Sequence, residues 1–298
     1  MSTHPTLAKQ RVRVSGGELA YFEAGEGRPI VFLHGFPTSS HLWRDLAPML
    51  STVARAIAPD LLGYGDSDKP TRDPLHPRAQ AGYVRELLGR LGVEGFAVVG
   101  HDIGGAVAQL LALEGGVEAM VLIDSVAFDS WPIEGVRLLQ QTEPERYTRG
   151  FTDSAVRVSF EQGMQHRERL AQRDFEEYLR PWREEPEAML RAVVGIDGEG
   201  LAGAEEALGK LAIPTFVLWG EDDPYQPSEL AERLGDALPG STVALLPGCS
   251  HFLLDDAPET AVPLVFEWLR AVYLGQPRHA PGDTVDLGIS FDRPEGDR

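Results

Sequence analysis

Phe96-Ala-Val-Val-Gly-His-Asp-Ile-Gly-Gly105 carries the signal around which the rest of the chain is organised. Its four apolar residues, Phe96 to Val99, read as a short buried strand. Gly100, Gly104 and Gly105 pinch the chain into a turn, and Ala106 to Leu113 then reads as a helix. Strand, pinched turn and helix together are the context of a nucleophile elbow, whose central residue sits on a strained backbone among neighbours without bulk. That residue is Asp102. A carboxylate is ionised at neutral pH, so no base has to deprotonate it before it attacks. It suits a saturated carbon bearing a leaving group or a strained C–O bond. The product is an alkyl ester, which an activated water must then hydrolyse. Taken alone, the same residues also fit an ordinary tight turn with a capping Asp.

Outward from this point the chain alternates strand and helix. Upstream, residues 11–24 read as a hairpin about Ser15-Gly16-Gly17, and Pro29–Leu33 is an apolar run ending in the turn His34-Gly35-Phe36-Pro37. A helix through Trp43, Leu46 and Leu50 follows, then a strand from Ala54 to Pro59, the loop Asp60–Asp68 and a helix over Ala79–Leu91. Downstream, Ala119–Ile123 is a strand ending in Asp124. The alternation then stops until Pro214–Trp219, a helix after Pro227, a strand over Thr242–Leu246 and a last helix through Val265 and Leu269. This order predicts an α/β fold with a doubly wound, mostly parallel sheet. The interruption, residues 128–208, reads as helices broken up by Pro132, Pro144, Pro181 and Pro186. It is predicted to be a helical cap inserted after the sixth strand, at the carboxyl edge of the sheet where such folds place ligands. The core is then 1–127 and 209–274, and the Pro- and Gly-rich tail 275–298 is expected to be poorly ordered.

Two loops complete a set of three groups. Trp219-Gly220-Glu221-Asp222-Asp223 and Ser250-His251-Phe252 each follow a strand. His251 is placed to activate the water, and Asp223 to hold its tautomer and stabilise the imidazolium. Asp124 is the alternative position for that acid. The backbone N–H groups of Phe36 and Ile103 are the expected oxyanion donors.

Composition narrows the partners. A net charge of −19 over 298 residues argues against nucleic acid and anionic membranes. The single cysteine, Cys249, excludes an internal disulfide and a cysteine metal cluster. The N-terminus lacks the apolar core of a signal peptide, and no run approaches a membrane helix, so a soluble cytoplasmic protein is expected. The chain does not specify an oligomeric state.

Val31-Phe-Leu-His-Gly-Phe-Pro37, Asp60–Asp68, the elbow, Trp219–Asp223 and Ser250-His251-Phe252 resemble the α/β-hydrolase superfamily over about residues 12–272. An aspartate nucleophile is similar to that of epoxide hydrolases, haloalkane dehalogenases and haloacetate dehalogenases. The resemblance implies a hydrolase acting with water on a small apolar substrate, with no metal or organic cofactor. Haloacetate dehalogenases carry arginines where this chain has Ile103 and Ala106, which ranks that activity third. Haloalkane dehalogenases use N–H donors for the halide, often a Trp after the nucleophile and an Asn after His-Gly. Ile103 and Phe36 occupy those places, leaving Trp131 or Trp182 as donors. Epoxide hydrolases protonate the opening oxygen with cap tyrosines, here Tyr147, with Tyr178 or His166 as the second. Against Tyr178 stands the stripe Phe175, Tyr178, Leu179 and Trp182, which reads as core. Epoxide opening is the expectation and haloalkane dehalogenation the alternative. Behind them stand an esterase and a non-catalytic ligand-binding relative.

Overall fold

The computed structural model describes residues 8–198 and 200–276. The described residues build one eight-stranded sheet from β1 (Lys9–Val14), β2 (Gly17–Ala24), β3 (Pro29–Leu33), β4 (Arg55–Pro59), β5 (Phe96–His101), β6 (Val117–Ile123), β7 (Thr215–Gly220) and β8 (Ser241–Leu246). The spatial order is β1-β2-β4-β3-β5-β6-β7-β8. β2 runs antiparallel to β1 and β4, and β3 to β8 are mutually parallel. The central strands are continuous apolar runs because both faces are covered. Along β3, Ile30 and Phe32 pack with Trp43 and Trp268 on one face, while Val31 and Leu33 pack with Leu87 and Leu111 on the other.

The helices are α1 (Leu46–Leu50), α2 (Pro77–Arg90), α3 (Ile103–Glu114), α4 (Glu134–Gln140), α5 (Arg149–Gly163), α6 (Gln172–Glu184), α7 (Pro186–Val194), α8 (Glu205–Leu208), α9 (Glu229–Ala237), α10 (Leu253–Asp256) and α11 (Pro258–Trp268). The helix expected through Trp43 and Leu50 is split into a 3-10 turn, Ser40–Trp43, and α1. The elbow helix begins at Ile103 rather than Ala106, because the Asp102 carbonyl already accepts from the Gly105 and Ala106 N–H groups. None of the described helices is long and apolar enough to cross a membrane.

α4 to α8 all fall between β6 and β7, the interval where the sequence interrupts its alternation. Their buried side chains join the core on the α2–α3 face of the sheet: Trp182 meets Phe36 and Tyr64 with ring centroids 6.0 and 5.7 Å apart. The prolines of this region act less uniformly than expected. Pro186 opens α7, where a missing N–H costs nothing. Pro181 does not break α6 but lies inside it, near its end. The donor it removes is outweighed by the buried stripe Phe175, Tyr178, Leu179 and Trp182 on that helix. The tail expected to be poorly ordered lies, from residue 277 onward, outside the described residues.

Candidate active site

The elbow explains its own glycines. A Cβ on Gly104 would lie 2.0 Å from the Leu33 carbonyl oxygen, and one on Gly35 would lie 2.3 Å from Asp102 Oδ1. Side chains at either place would push Asp102 off the sheet edge. Asp102 itself has φ 53° and ψ −120°, a conformation L-residues adopt only when their surroundings impose it. That backbone turns its carboxylate away from α3 and toward the ends of β3 and β8.

The two carboxylate oxygens differ. Oδ1 accepts from the Phe36 N–H at 2.9 Å, and the Ile103 N–H also bonds the carboxylate. Oδ2 has no hydrogen-bond partner among the described residues and lies 3.8 Å from His251 Nε2. Burial pushes the Asp102 carboxyl up to about 6, against the opposing pull of His251 and the two N–H groups. At neutral pH it is therefore mostly ionised but poorly solvated, which is what a carboxylate nucleophile requires.

His251 Nδ1 lies 2.8 Å from Asp223 Oδ2, and Asp223 Oδ1 accepts from the Tyr225 and Gln226 N–H groups at 2.7 and 3.0 Å. Burial alone would lower the imidazole, but the Asp223 and Asp102 carboxylates outweigh it and the net shift is upward. Asp124, the alternative acid, is elsewhere engaged. Its Oδ1 accepts from the Gly220 N–H at 2.7 Å, and burial followed by repulsion from Asp223 raises it well above the ordinary carboxyl range.

Two supports escaped the sequence reading. His101 bonds the His251 carbonyl at 2.9 Å and holds the histidine loop against the elbow. His34 accepts from Leu61 N–H through Nε2 at 3.0 Å, with Nδ1 on the Gly35 carbonyl, which fastens the turn that presents the Phe36 N–H. Both are residues directly adjoining a candidate site residue or its turn, a signal the sequence contained.

Asp102, His251 and Phe36 open onto one cavity of about 410 Å³. Of the five cap side chains considered as donors, it is lined by Trp131 alone, whose buried Nε1–H has no partner among the described residues. Trp182 Nε1 donates to the Pro37 carbonyl at 2.8 Å. Tyr147 donates to the Leu139 carbonyl at 2.7 Å, and Tyr178 to Asp255 Oδ2 at 3.0 Å while accepting from Arg44. His166 stands beside Asp256, outside the cavity. None of these four lines the cavity, and Trp182, Tyr147 and Tyr178 each give their hydrogen to a protein acceptor, as the buried stripe on α6 implied for Tyr178. A tyrosine that does line the cavity is Tyr225, two residues beyond Asp223. Its ring meets His251 edge-on at 5.0 Å, and its O–H donates to the Ser159 carbonyl at 2.9 Å. Among the described residues no Arg or Lys lines the cavity.

An open parallel sheet with an elbow after β5, an acid after β7 and a histidine after β8 defines a hydrolase class. The chain belongs to the α/β-hydrolase fold family, whose model matches residues 28–258. Haloalkane dehalogenase 2 of Mycobacterium tuberculosis is 27% identical over 270 residues, 85% of this chain and 92% of its own length. A soluble epoxide hydrolase of a Corynebacterium species is 39% identical over 140 residues, 45% of this chain and 48% of that one. Among solved structures, an alpha/beta hydrolase fold protein from Burkholderia ambifaria matches with a TM-score of 0.80 at 28% identity, covering 88% of this chain and 98% of its own. The chain is a hydrolase of this family.

Proposed function

We propose that this hydrolase removes halide from small apolar alkyl halides in two steps, through an ester on Asp102. The observation that carries the reading is the asymmetry of that carboxylate. Oδ1 is held by backbone N–H, while Oδ2 is free of hydrogen bonds beside an apolar cavity and 3.8 Å from His251 Nε2. In the first step Oδ2 attacks the halogen-bearing carbon, the C–O bond forms as the C–halogen bond breaks, and halide leaves. In the second, His251 takes a proton from water, whose oxygen attacks the ester carbon of Asp102. The carbonyl oxygen, Oδ1, becomes the oxyanion and is stabilised by the N–H groups of Phe36 and Ile103. Asp223 stabilises the imidazolium until the alkanol departs. Alkyl halide and water give alkanol, halide and a proton.

The sequence favours epoxide opening; in our reading the side-chain placement weighs toward halide. An epoxide oxygen leaves as a strongly basic alkoxide and needs a proton, yet the hydroxyls of Tyr147 and Tyr178 are engaged away from the cavity. A halide needs only solvation, and the unpaired N–H of the cavity-lining Trp131 is the donor this reading assigns to it. The near full-length alignment with a protein named haloalkane dehalogenase supports the same order. Epoxide opening stays the second reading on one observation, the Tyr225 hydroxyl in a cavity-lining residue.

The test is the intact mass of His251→Ala after exposure to matched halides and epoxides. An Asp102 adduct equal to the halide less hydrogen halide is expected. An adduct carrying the whole epoxide mass, with none from any halide, would install the second reading, and no adduct from either would remove the ester mechanism.

A further inference from the structure

The shape of the cavity carries information beyond the chemistry at its floor. One wall is a single helix: Phe151, Ser154, Ala155, Val158, Ser159 and Gln162 recur along α5 at the spacing of one helical face. α4 supplies the wall across the cavity through Val136, Leu139 and their neighbours. α4 packs on α7, and α5 chiefly on α6, so the space between α4 and α5 stays open as a cleft.

The cleft has a direction. At the carboxyl end of α5, Gly163 O accepts from the Phe252 N–H at 3.0 Å and the Ser159 carbonyl accepts from Tyr225, which touches His251. That end therefore abuts the reacting atoms. At the amino end, Phe151 meets Tyr147 edge-on with ring centroids 5.0 Å apart, and Tyr147 bonds Leu139 on α4. Phe151 and Gln162 stand eleven residues apart, about 16 Å along the helix axis.

The hydroxyls on these walls are not offered to a ligand. Ser154 donates to the Gly150 carbonyl at 2.9 Å, Ser159 to Ala155 at 3.0 Å and Thr142 to Leu138 at 2.9 Å. Each gives its hydrogen within its own helical turn, so most of the remaining lining on α4 and α5 is carbon: Val136, Leu138, Leu139, Phe151, Ala155 and Val158. Apolar lining also continues to the outside. Leu138 is 61% exposed and Val158 47%, and both line the cavity. An apolar rim in water is unfavourable unless a ligand covers it.

From this we infer that the substrate is a linear alkyl electrophile of long chain, its reacting carbon at Asp102 and its tail laid along α5 to the rim at Leu138. The inference rests on the alkyl-enzyme reading and adds the substrate class. An extended chain advances roughly 1.2 Å per bond, so about a dozen carbons fill the length of the wall.

Binding of the corresponding alcohols tests the cleft without any chemistry. The series from 1-butanol to 1-tetradecanol is titrated into the wild-type protein and followed by tryptophan fluorescence. The dissociation constant is expected to fall about fourfold with each methylene, and to level off near a dozen carbons as the tail passes the rim. Leu138→Asp, at an exposed position, should remove the gain from the last few methylenes and leave short alcohols unaffected. Ala155→Trp, which fills the middle of the cleft, should move the levelling point several carbons shorter. A constant independent of chain length, or one levelling off by 1-hexanol in the wild type, would overturn the proposal. The two readings fail separately: a flat alcohol series beside Asp102 esters of short halides removes only the long tail. A rising series without any ester removes the chemistry and leaves the cleft as an alkyl-binding groove.

Discussion

Asp102→Asn should make this protein more stable while abolishing its turnover. The carboxyl titrates at about 6 in the folded chain against an ordinary value of 3.8, because burial strips its solvation. A carboxyl whose folded pKa lies above its unfolded one binds more protons when folded, so its ionisation costs stability as pH rises between the two values. About two pKa steps correspond to about 3 kcal/mol above pH 7, at 1.36 kcal/mol each. At pH 5 the folded carboxyl is largely protonated, and the cost is about half of that. Asparagine is isosteric, keeps an oxygen for the Phe36 N–H and has no charge to bury. The variant should therefore melt roughly 6–12 °C above wild type at pH 8, with the gap about halved at pH 5. Paired thermal scans by circular dichroism across that range, each checked for reversibility, make the measurement. A variant no more stable than wild type at pH 8 would refute the account of Asp102 as a desolvated nucleophile. So would a gap that stays constant with pH, since a packing effect does not titrate.

Other parts of the site make separate claims. The rate of alkylation, read in single turnover, should rise with pH and level off just above 6, since only the ionised Asp102 attacks; a flat profile from pH 5 to 8 would point to another nucleophile. Asp223→Asn should retain the alkylation burst and lower steady-state turnover about 10³–10⁴-fold, by leaving His251 without its charged partner. Trp131→Phe should cost dehalogenation about 10²–10³-fold in kcat, the loss of one unpaired donor, and unchanged kinetics would deny the indole its role. Tyr178→Phe should leave alkylation kinetics intact and cost about 1 kcal/mol in urea unfolding, because its hydroxyl serves Arg44 and Asp255. Asp255→Ala should cost about 3–5 kcal/mol in the same assay, since it strands a buried Arg44.

The division between sequence and tertiary structure follows the range of the forces involved. Strands buried on both faces must be apolar throughout, so β3, β5, β6 and β7 were legible as runs with turn residues at their ends. The elbow was legible because close backbone approach admits only glycine at Gly100 and Gly104. The loops bearing Asp223 and His251 were legible because each follows a strand, β7 buried throughout and β8 only in part. The cap donors were not. Tyr147, Tyr178 and Trp182 have the right chemistry at plausible positions, yet each gives its hydrogen to a protein acceptor that no local pattern discloses. Pro181 likewise reads as a breaker until the buried face of α6 is seen to hold the helix through it.

By itself, the sequence determined the order of elements, the carboxylate at the elbow and the set of groups able to act on it, since these depend on residue type and short spacing. Only the tertiary structure decided which donors stay free, which of two acids meets His251 and how far the cleft runs along α5. Those outcomes depend on a balance of burial and hydrogen bonding among residues far apart in the chain, and a buried polar group takes whichever partner the packing brings within about 3 Å.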